Sequence, residues 1–257
     1  MVSETMMVDG VRLEYRRFGT RSESRPTLVF LHDGLGCVEI WRDFPERLVR
    51  RTGLPGLAYS RAGYGRSGPI TLPRPLDYMH AEALQVLPAV LDAARIDRAI
   101  LIGHSDGGTI SLIYGGAADS PRAAAIVAMA PHVFNEEISV RGIKEMIQEY
   151  EEGTLRAKLE RYHGSNVECA FRGWSGAWTD PRFRSWNVEA LLAGIDVPVL
   201  VIQGRADGYG TLEQINSILK NVSGPVQARI IPRCGHVPYR EAPEITLKAI
   251  ALFVQDL

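Results

Sequence analysis

Ile100-Leu101-Ile102-Gly103-His104-Ser105-Asp106-Gly107-Gly108-Thr109-Ile110 is the stretch on which the reading of this chain turns. The apolar run from Ala99 to Ile102 predicts a buried strand, and the pattern after the serine predicts a helix. Between them, Gly103-x-Ser105-x-Gly107 has the form of a nucleophile elbow. Such a turn strains the serine backbone, so the residues two before and two after it must lack colliding side chains. In return the hydroxyl stands clear of the sheet at the positive end of a helix, where a developing anion is favoured. A glycine-rich loop with an ordinary serine would show the same five residues. The strand before and the helix after distinguish the two.

Outward from the elbow, strands and helices alternate. Thr27 to Leu31 is a second continuous apolar strand, ending in His32-Asp33-Gly34-Leu35-Gly36. Val38, Trp41, Phe44 and Leu48 then fall close to one face of an expected helix. Leu57-Ala58-Tyr59 is a short strand, closed by the turn Ser60-Arg61-Ala62-Gly63-Tyr64-Gly65-Arg66-Ser67. A helix is expected from Leu76 to Ala94, bent at Pro88, which lacks an N–H. At the front, Val8-Asp9-Gly10-Val11 reads as the turn of an antiparallel edge pair. Beyond the elbow helix, Ala125 to Ala130 is a strand ending at Pro131-His132. Alternation then stops as far as Leu192. Ile143, Met146, Ile147 and Tyr150 mark one amphipathic helix there, and Leu155, Leu159 and Tyr162 a second. It resumes with a strand from Val199 to Ile202, a helix from Leu212 to Leu219, a strand from Gln227 to Ile231 and a final helix from Ala242 to Val254.

Continuous apolar strands separated by helices imply a mostly parallel central sheet covered on both faces. The interruption implies a helical cap over the carboxyl ends of the strands, where ligands bind in such sheets. The expected division is a core of residues 1–130 and 193–257 with a cap insertion of residues 131–192.

A serine hydroxyl is a poor nucleophile until an oriented base takes its proton. His236 lies in the loop between the last strand and the last helix, and Asp207 lies just past the penultimate strand. The order Ser105, Asp207, His236 suits nucleophile, acid and base on such a sheet. Taken singly, His236 also reads as a helix-capping residue and Asp207 as a turn carboxylate. Glu136 and Glu137 are alternative acids, whereas Asp196 precedes its strand. An oxyanion needs donors as well. One is expected from the N–H of Asp106 and one from Gly34, with Leu35 its competitor. His32 reads as a residue that bonds this loop in place.

Together these pieces resemble the α/β-hydrolase superfamily over essentially the whole chain. The matching motifs are His32-Asp33-Gly34-Leu35-Gly36, Gly63-Tyr64-Gly65-Arg66-Ser67, the Gly103–Gly108 elbow, Gly204-x-x-Asp207 and Cys234-Gly235-His236. The resemblance is to single-cap, esterase-like members. It implies an α/β-hydrolase fold and hydrolysis of a small carboxylic ester through an acyl-enzyme, with no cofactor and no metal. Ser105 stands where haloalkane dehalogenases and epoxide hydrolases carry aspartate and dienelactone hydrolases cysteine, which argues against those activities. Meta-cleavage C–C hydrolases usually show Asn before the serine and a Gly-Pro-Gly loop, where this chain has His104 and Asp33-Gly34-Leu35-Gly36. Asp33 also stands where glycine is common, and Arg61 where many members have aspartate. A thioesterase, lactonase or C–C hydrolase with the same residues remains open, as does a ligand receptor that keeps the pocket. The Ser-Asp-Gly-Gly elbow is similar to that of valacyclovir-type amino-ester hydrolases, where the aspartate holds an ammonium group. Asp106 is otherwise an acidic first-turn residue of its own helix. Leu35, His132, Trp174 and Trp178 are the candidate substrate contacts. The tryptophans also suit a plain role as core between cap and sheet.

The 257 residues can bury a full core, and 46% hydrophobic with 23% charged residues is ordinary globular composition. A formal net charge of −1 gives no reason to expect nucleic acid or an anionic membrane as partner. Three cysteines (Cys37, Cys169, Cys234) without metal-ligand spacing suit reduced thiols in a cytoplasm, and the first residues show no leader pattern. Monomer and homodimer are equally compatible with the sequence.

Overall fold

The computed structural model describes residues 3–21, 24–117 and 122–257. Met1 and Val2, the start of the stretch read for a leader, lie outside the described residues. Strands β1 (Glu4–Val8), β2 (Val11–Phe18), β3 (Thr27–Leu31), β4 (Gly56–Tyr59), β5 (Ala99–His104), β6 (Ala123–Met129), β7 (Val199–Gly204) and β8 (Val226–Ile231) pair. Among the described residues they make one eight-stranded sheet in the order β1-β2-β4-β3-β5-β6-β7-β8. From β4 to β8 every pairing is parallel, while β1 and β2 form an antiparallel edge. The β1–β2 hairpin turns at Asp9 (φ 47°) and Gly10 (φ 80°), as a two-residue turn between twisted strands requires.

Although the central strands read as unbroken apolar runs, their side chains still alternate between faces. Leu28, Phe30, Ile100, Ile102, Leu200 and Ile202 bury one face against α1 (Phe44–Thr52) and α11 (Pro243–Gln255). Val29, Leu31, Leu101, Val199 and Val201 bury the other against α3 (Leu87–Ala94) and α4 (Asp106–Gly116). Each such fully buried side chain contributes about 1.5–3 kcal/mol of transfer free energy. The remaining core helices are α2 (Tyr78–Ala81), α9 (Leu212–Asn221) and α10 (Pro238–Glu241). Between β6 and β7 the chain runs through α5 (Glu137–Glu152), α6 (Leu155–His163), α7 (Val167–Thr179) and α8 (Glu189–Leu192).

Two expected helices differ from the observed ones. The single helix through Val38 and Leu48 is a short 3-10 turn, Glu39–Trp41, and then α1, separated by Arg42 at φ 54°. The break lets Trp41 and Phe44 both reach Phe30, at ring-centroid distances of 5.6 and 6.5 Å. The bent helix over Leu76–Ala94 is α2 and α3 joined by a π-turn at Glu82–Val86. Pro88 stands two residues past the π-turn, in the first turn of α3.

Candidate active site

The loops that leave the carboxyl ends of β3 to β8 converge on one place, where the elbow serine stands. Ser105 sits at φ 50° and ψ −117°, a conformation costing about 1–3 kcal/mol for a non-glycine residue. The flanking glycines make it sterically possible. A Cβ on Gly103 would lie 2.2 Å from the Gly107 carbonyl oxygen, and one on Gly107 would lie 2.0 Å from that of Leu31.

His236, on the loop after β8, places Nε2 2.9 Å from Ser105 Oγ. Its Nδ1 lies 2.9 Å from both carboxylate oxygens of Asp207, on the loop after β7. A carboxylate only accepts, so Nδ1 carries the proton and Nε2 is left to accept from the serine hydroxyl. Tyr209 N–H (2.8 Å) and Gln203 Nε2 (3.1 Å) also donate to Asp207. Burial by itself would raise the Asp207 pKa. The hydrogen bond and charge of His236, with the Tyr209 N–H, outweigh it and hold the carboxyl below its ordinary value.

The opposite wall is the loop after β3. The Leu35 N–H donates to Asp33 Oδ1 at 2.8 Å, so it is already engaged. Among the described residues nothing accepts from the Gly34 N–H. The carbonyl of that same peptide, Asp33 O, lies 2.7 Å from His32 Nδ1 and accepts from Arg61 Nη2 at 2.8 Å. In a trans peptide the N–H lies on the opposite edge from the carbonyl, so these two contacts fix its direction. His32 Nε2 accepts from the Arg61 N–H at 3.0 Å, which makes the ring neutral with its proton on Nδ1. Burial, with the adjacent Arg61, holds the His32 pKa well below 6.5.

Asp33 has a second task. Its Oδ2 lies 3.1 Å from His104 Nδ1, and His104 Nε2 lies 2.8 Å from the backbone carbonyl of His236. The pair therefore ties the β3 loop to the His236 loop across the elbow. Burial would raise the Asp33 pKa, but the His104 bond and charge prevail and hold it far below the usual carboxylate range.

Asp106 is fully buried. Tyr78 OH donates to its Oδ2 at 2.6 Å, Trp178 Nε1 donates to Tyr78 at 3.0 Å, and Arg61 Nη2 lies 3.6 Å away. The cation that faces this carboxylate is thus Arg61 of the chain itself.

A cavity of about 450 Å³ opens over Ser105, and Gly34, Leu35, Asp106, His132, Trp174 and Trp178 all line it. Trp174 presses on Gly34 so closely that a Cβ there would fall 2.2 Å from the indole ring. His132 is held by Thr109 and by Tyr209 O, 3.0 Å from its Nε2. Burial and the nearby His236 lower its pKa. The alternative acids lie elsewhere. Glu136 accepts from Thr211 and Gln214, Glu137 pairs with Arg184, and Asp196 is exposed. Tyr209, whose ring centroid lies 4.9 Å from that of His236, went unread in the sequence, as did the Tyr78–Arg61 contacts to Asp106 and the Asp33–His104 pair. Burial pushes the Cys37 thiol up to about 12 and that of Cys234 up to about 11, so neither is a ready thiolate. Among the described residues there is no metal-binding group of three or more His, Cys, Asp or Glu, and no helix long and apolar enough to cross a membrane.

This sheet, elbow and loop arrangement is the α/β-hydrolase fold. A family model described as the Alpha/beta hydrolase family matches residues 28–249, and the chain belongs to that family. It is similar to a proline iminopeptidase of Lactiplantibacillus plantarum, with 32% identity over 114 residues, 43% of this chain and only 38% of that protein's length. It is also similar to a 2-hydroxy-6-oxo-6-phenylhexa-2,4-dienoate hydrolase of Burkholderia cepacia, 24% identical over 200 residues and 68% of each. The enol-lactonase from Burkholderia xenovorans LB400 has a similar structure. Its TM-score is 0.75 at 18% identity, covering 98% of this chain and 100% of that one.

Proposed function

We propose that the protein is a serine hydrolase that cleaves a small carboxylic ester through an acyl-enzyme. The observation that carries this reading is the continuous chain of contacts from Ser105 Oγ through His236 to Asp207 at 2.9 Å each. In the proposed mechanism His236 Nε2 takes the Ser105 proton as Oγ attacks the ester carbonyl. Asp207 stabilises the imidazolium that forms. The N–H groups of Gly34 and Asp106 receive the oxyanion, each lowering the barrier by about 3 kcal/mol. His236 then protonates the departing alkoxide, and afterwards activates the water that releases the acid and restores Ser105.

The helical segment 131–192 is proposed to act as a cap domain, with Leu35, His132, Trp174 and Trp178 shaping the acyl pocket. Asp106 is proposed as an internal anchor rather than a seat for a substrate ammonium, because Arg61 and Tyr78 already occupy it. Thioester, lactone and C–C substrates fit the same chemistry, and two relatives carry names of the latter kinds. The test is turnover of 4-nitrophenyl butyrate by the wild type and Ser105→Ala. A nitrophenol burst followed by steady turnover, both lost in the variant, is expected. Equal rates in the two proteins would refute the reading.

A further inference from the structure

The cavity over Ser105 carries a charge pattern that hydrolysis of a neutral ester does not need. Arg42, Lys158, Arg161 and Arg240 all line it, and all are exposed. Among the described residues none of the four forms an ion pair, although Arg156 and Arg172 beside them pair with Glu160, Glu168 and Glu151. The two carboxylates on the cavity wall are already engaged, Asp33 by His104 and Leu35, Asp106 by Arg61 and Tyr78. The charge left free is therefore positive, in a chain whose formal net charge is −1.

The cations approach from two sides. Lys158 and Arg161 stand one turn apart on α6, and Arg42 and Arg240 come from the sheet-bearing body of the chain. Arg42 and Arg240 also line a second cavity, of about 460 Å³, that shares this wall. The backbone at Arg42 stands at φ 54° and ψ −126°, a conformation that glycine adopts freely and a side-chain-bearing residue does not. That turn, which seats Trp41 and Phe44 on Phe30, also presents Arg42 at the cavity wall. Ile143, Met146, Leu155 and Leu159 on the same cavity wall are apolar.

We propose that the natural substrate bears an anionic group, a carboxylate or a phosphate, at the end remote from the scissile bond. Arg42, Lys158, Arg161 and Arg240 receive that group, and an apolar spacer lies along the wall. This rests on the serine-hydrolase reading above and narrows its substrate class. Exposed pairs are individually weak, so the selectivity comes from four charges acting together and falls with salt.

Two matched pairs test it by kcat/KM. One is mono-4-nitrophenyl suberate against 4-nitrophenyl octanoate, for a carboxylate on the acyl side. The other is S-octanoyl phosphopantetheine against S-octanoyl pantetheine, for a phosphate on the leaving side. The anionic member of at least one pair should lead by about tenfold at low salt. The lead should shrink towards one in about 0.5 M NaCl and in Lys158→Gln/Arg161→Gln/Arg240→Gln. No lead in either pair, or a lead that survives the triple variant, overturns the proposal. Fluorescence of the cavity tryptophans in Ser105→Ala, titrated with octyl phosphate, monomethyl suberate and methyl octanoate, separates the two readings. Tighter binding of the anions without ester turnover in the wild type would sink the hydrolase reading alone. Turnover without such a preference would sink the anion site alone.

Discussion

Arg61 does more at this site than its place in a loop suggests. Its Nη2 donates to the carbonyl of the peptide whose N–H belongs to Gly34, and the same nitrogen lies 3.6 Å from the carboxylate of Asp106. Both proposed oxyanion donors are thus steadied by one guanidinium, itself buried with only 1% of its surface exposed. Arg61→Met should leave Asp106 as an uncompensated buried charge and cost about 3–5 kcal/mol in urea unfolding. Arg61→Met/Asp106→Leu should recover much of that loss. Arg61→Lys keeps the charge but not the fork, and should lower kcat about tenfold or more while KM moves little. A change confined to KM would assign Arg61 to ground-state binding instead. Asp33→Asn tests the other brace. It weakens the bond to His104 that links the β3 loop to the His236 carbonyl. We expect kcat to fall several-fold and its pH profile to shift, which a plain packing defect would not produce.

At the scale of elements, the elbow unit β5–turn–α4 was the most legible part of the chain. Its signature is local, because Gly103-x-Ser105-x-Gly107 spells the turn, although the space that Gly107 keeps open lies against the Leu31 carbonyl of β3. Gly107→Ala should therefore cost about 3 kcal/mol or more, seen as loss of soluble folded protein, since its Cβ would meet backbone rather than a movable side chain. Gly34→Ala should be milder in stability and severe in activity, because Trp174 can give way but the loop beside it cannot keep its line. Where contacts were long-range, the sequence was silent. Nothing local announces that Tyr78, in a helix ahead of the elbow, will hold Asp106, or that Trp178 from α7 will close the chain of bonds. The break at Arg42 was hidden for the same reason. The apolar spacing of Trp41 and Phe44 suits a helix, and only the position of Phe30 shows why the chain turns there. Pro88 differs in that a missing donor is a property of the residue itself, and the helix departs from α geometry just before it, at the π-turn Glu82–Val86.

For the whole molecule, three buried histidines set how the fold responds to acid. His32, His132 and His163 all have pKa values lowered from 6.5, with burial the largest cause in each. The ring of His163 is bonded as a neutral group, accepting from the Gly65 N–H at 3.0 Å and lying 3.0 Å from Leu35 O on its other side. Because the unfolded chain binds these protons more tightly, stability is fully present above about pH 6.5 and is lost as pH falls. Urea midpoints should drop between pH 7 and pH 5 by an amount equivalent to roughly 1–3 kcal/mol. His163→Gln, which can still accept and donate, should flatten part of that slope. A midpoint that rises on acidification would contradict the assignment of neutral rings.

The measurement that bears most directly on the function is intact-protein and peptide mass spectrometry after exposure to an alkyl 4-nitrophenyl phosphonate. A single adduct on Ser105 is expected in the wild type, formed at rates about a thousandfold or more slower in His236→Ala and absent in Ser105→Ala. An adduct on another residue, or labelling of Ser105 that is indifferent to His236, would contradict the proposed nucleophile and base.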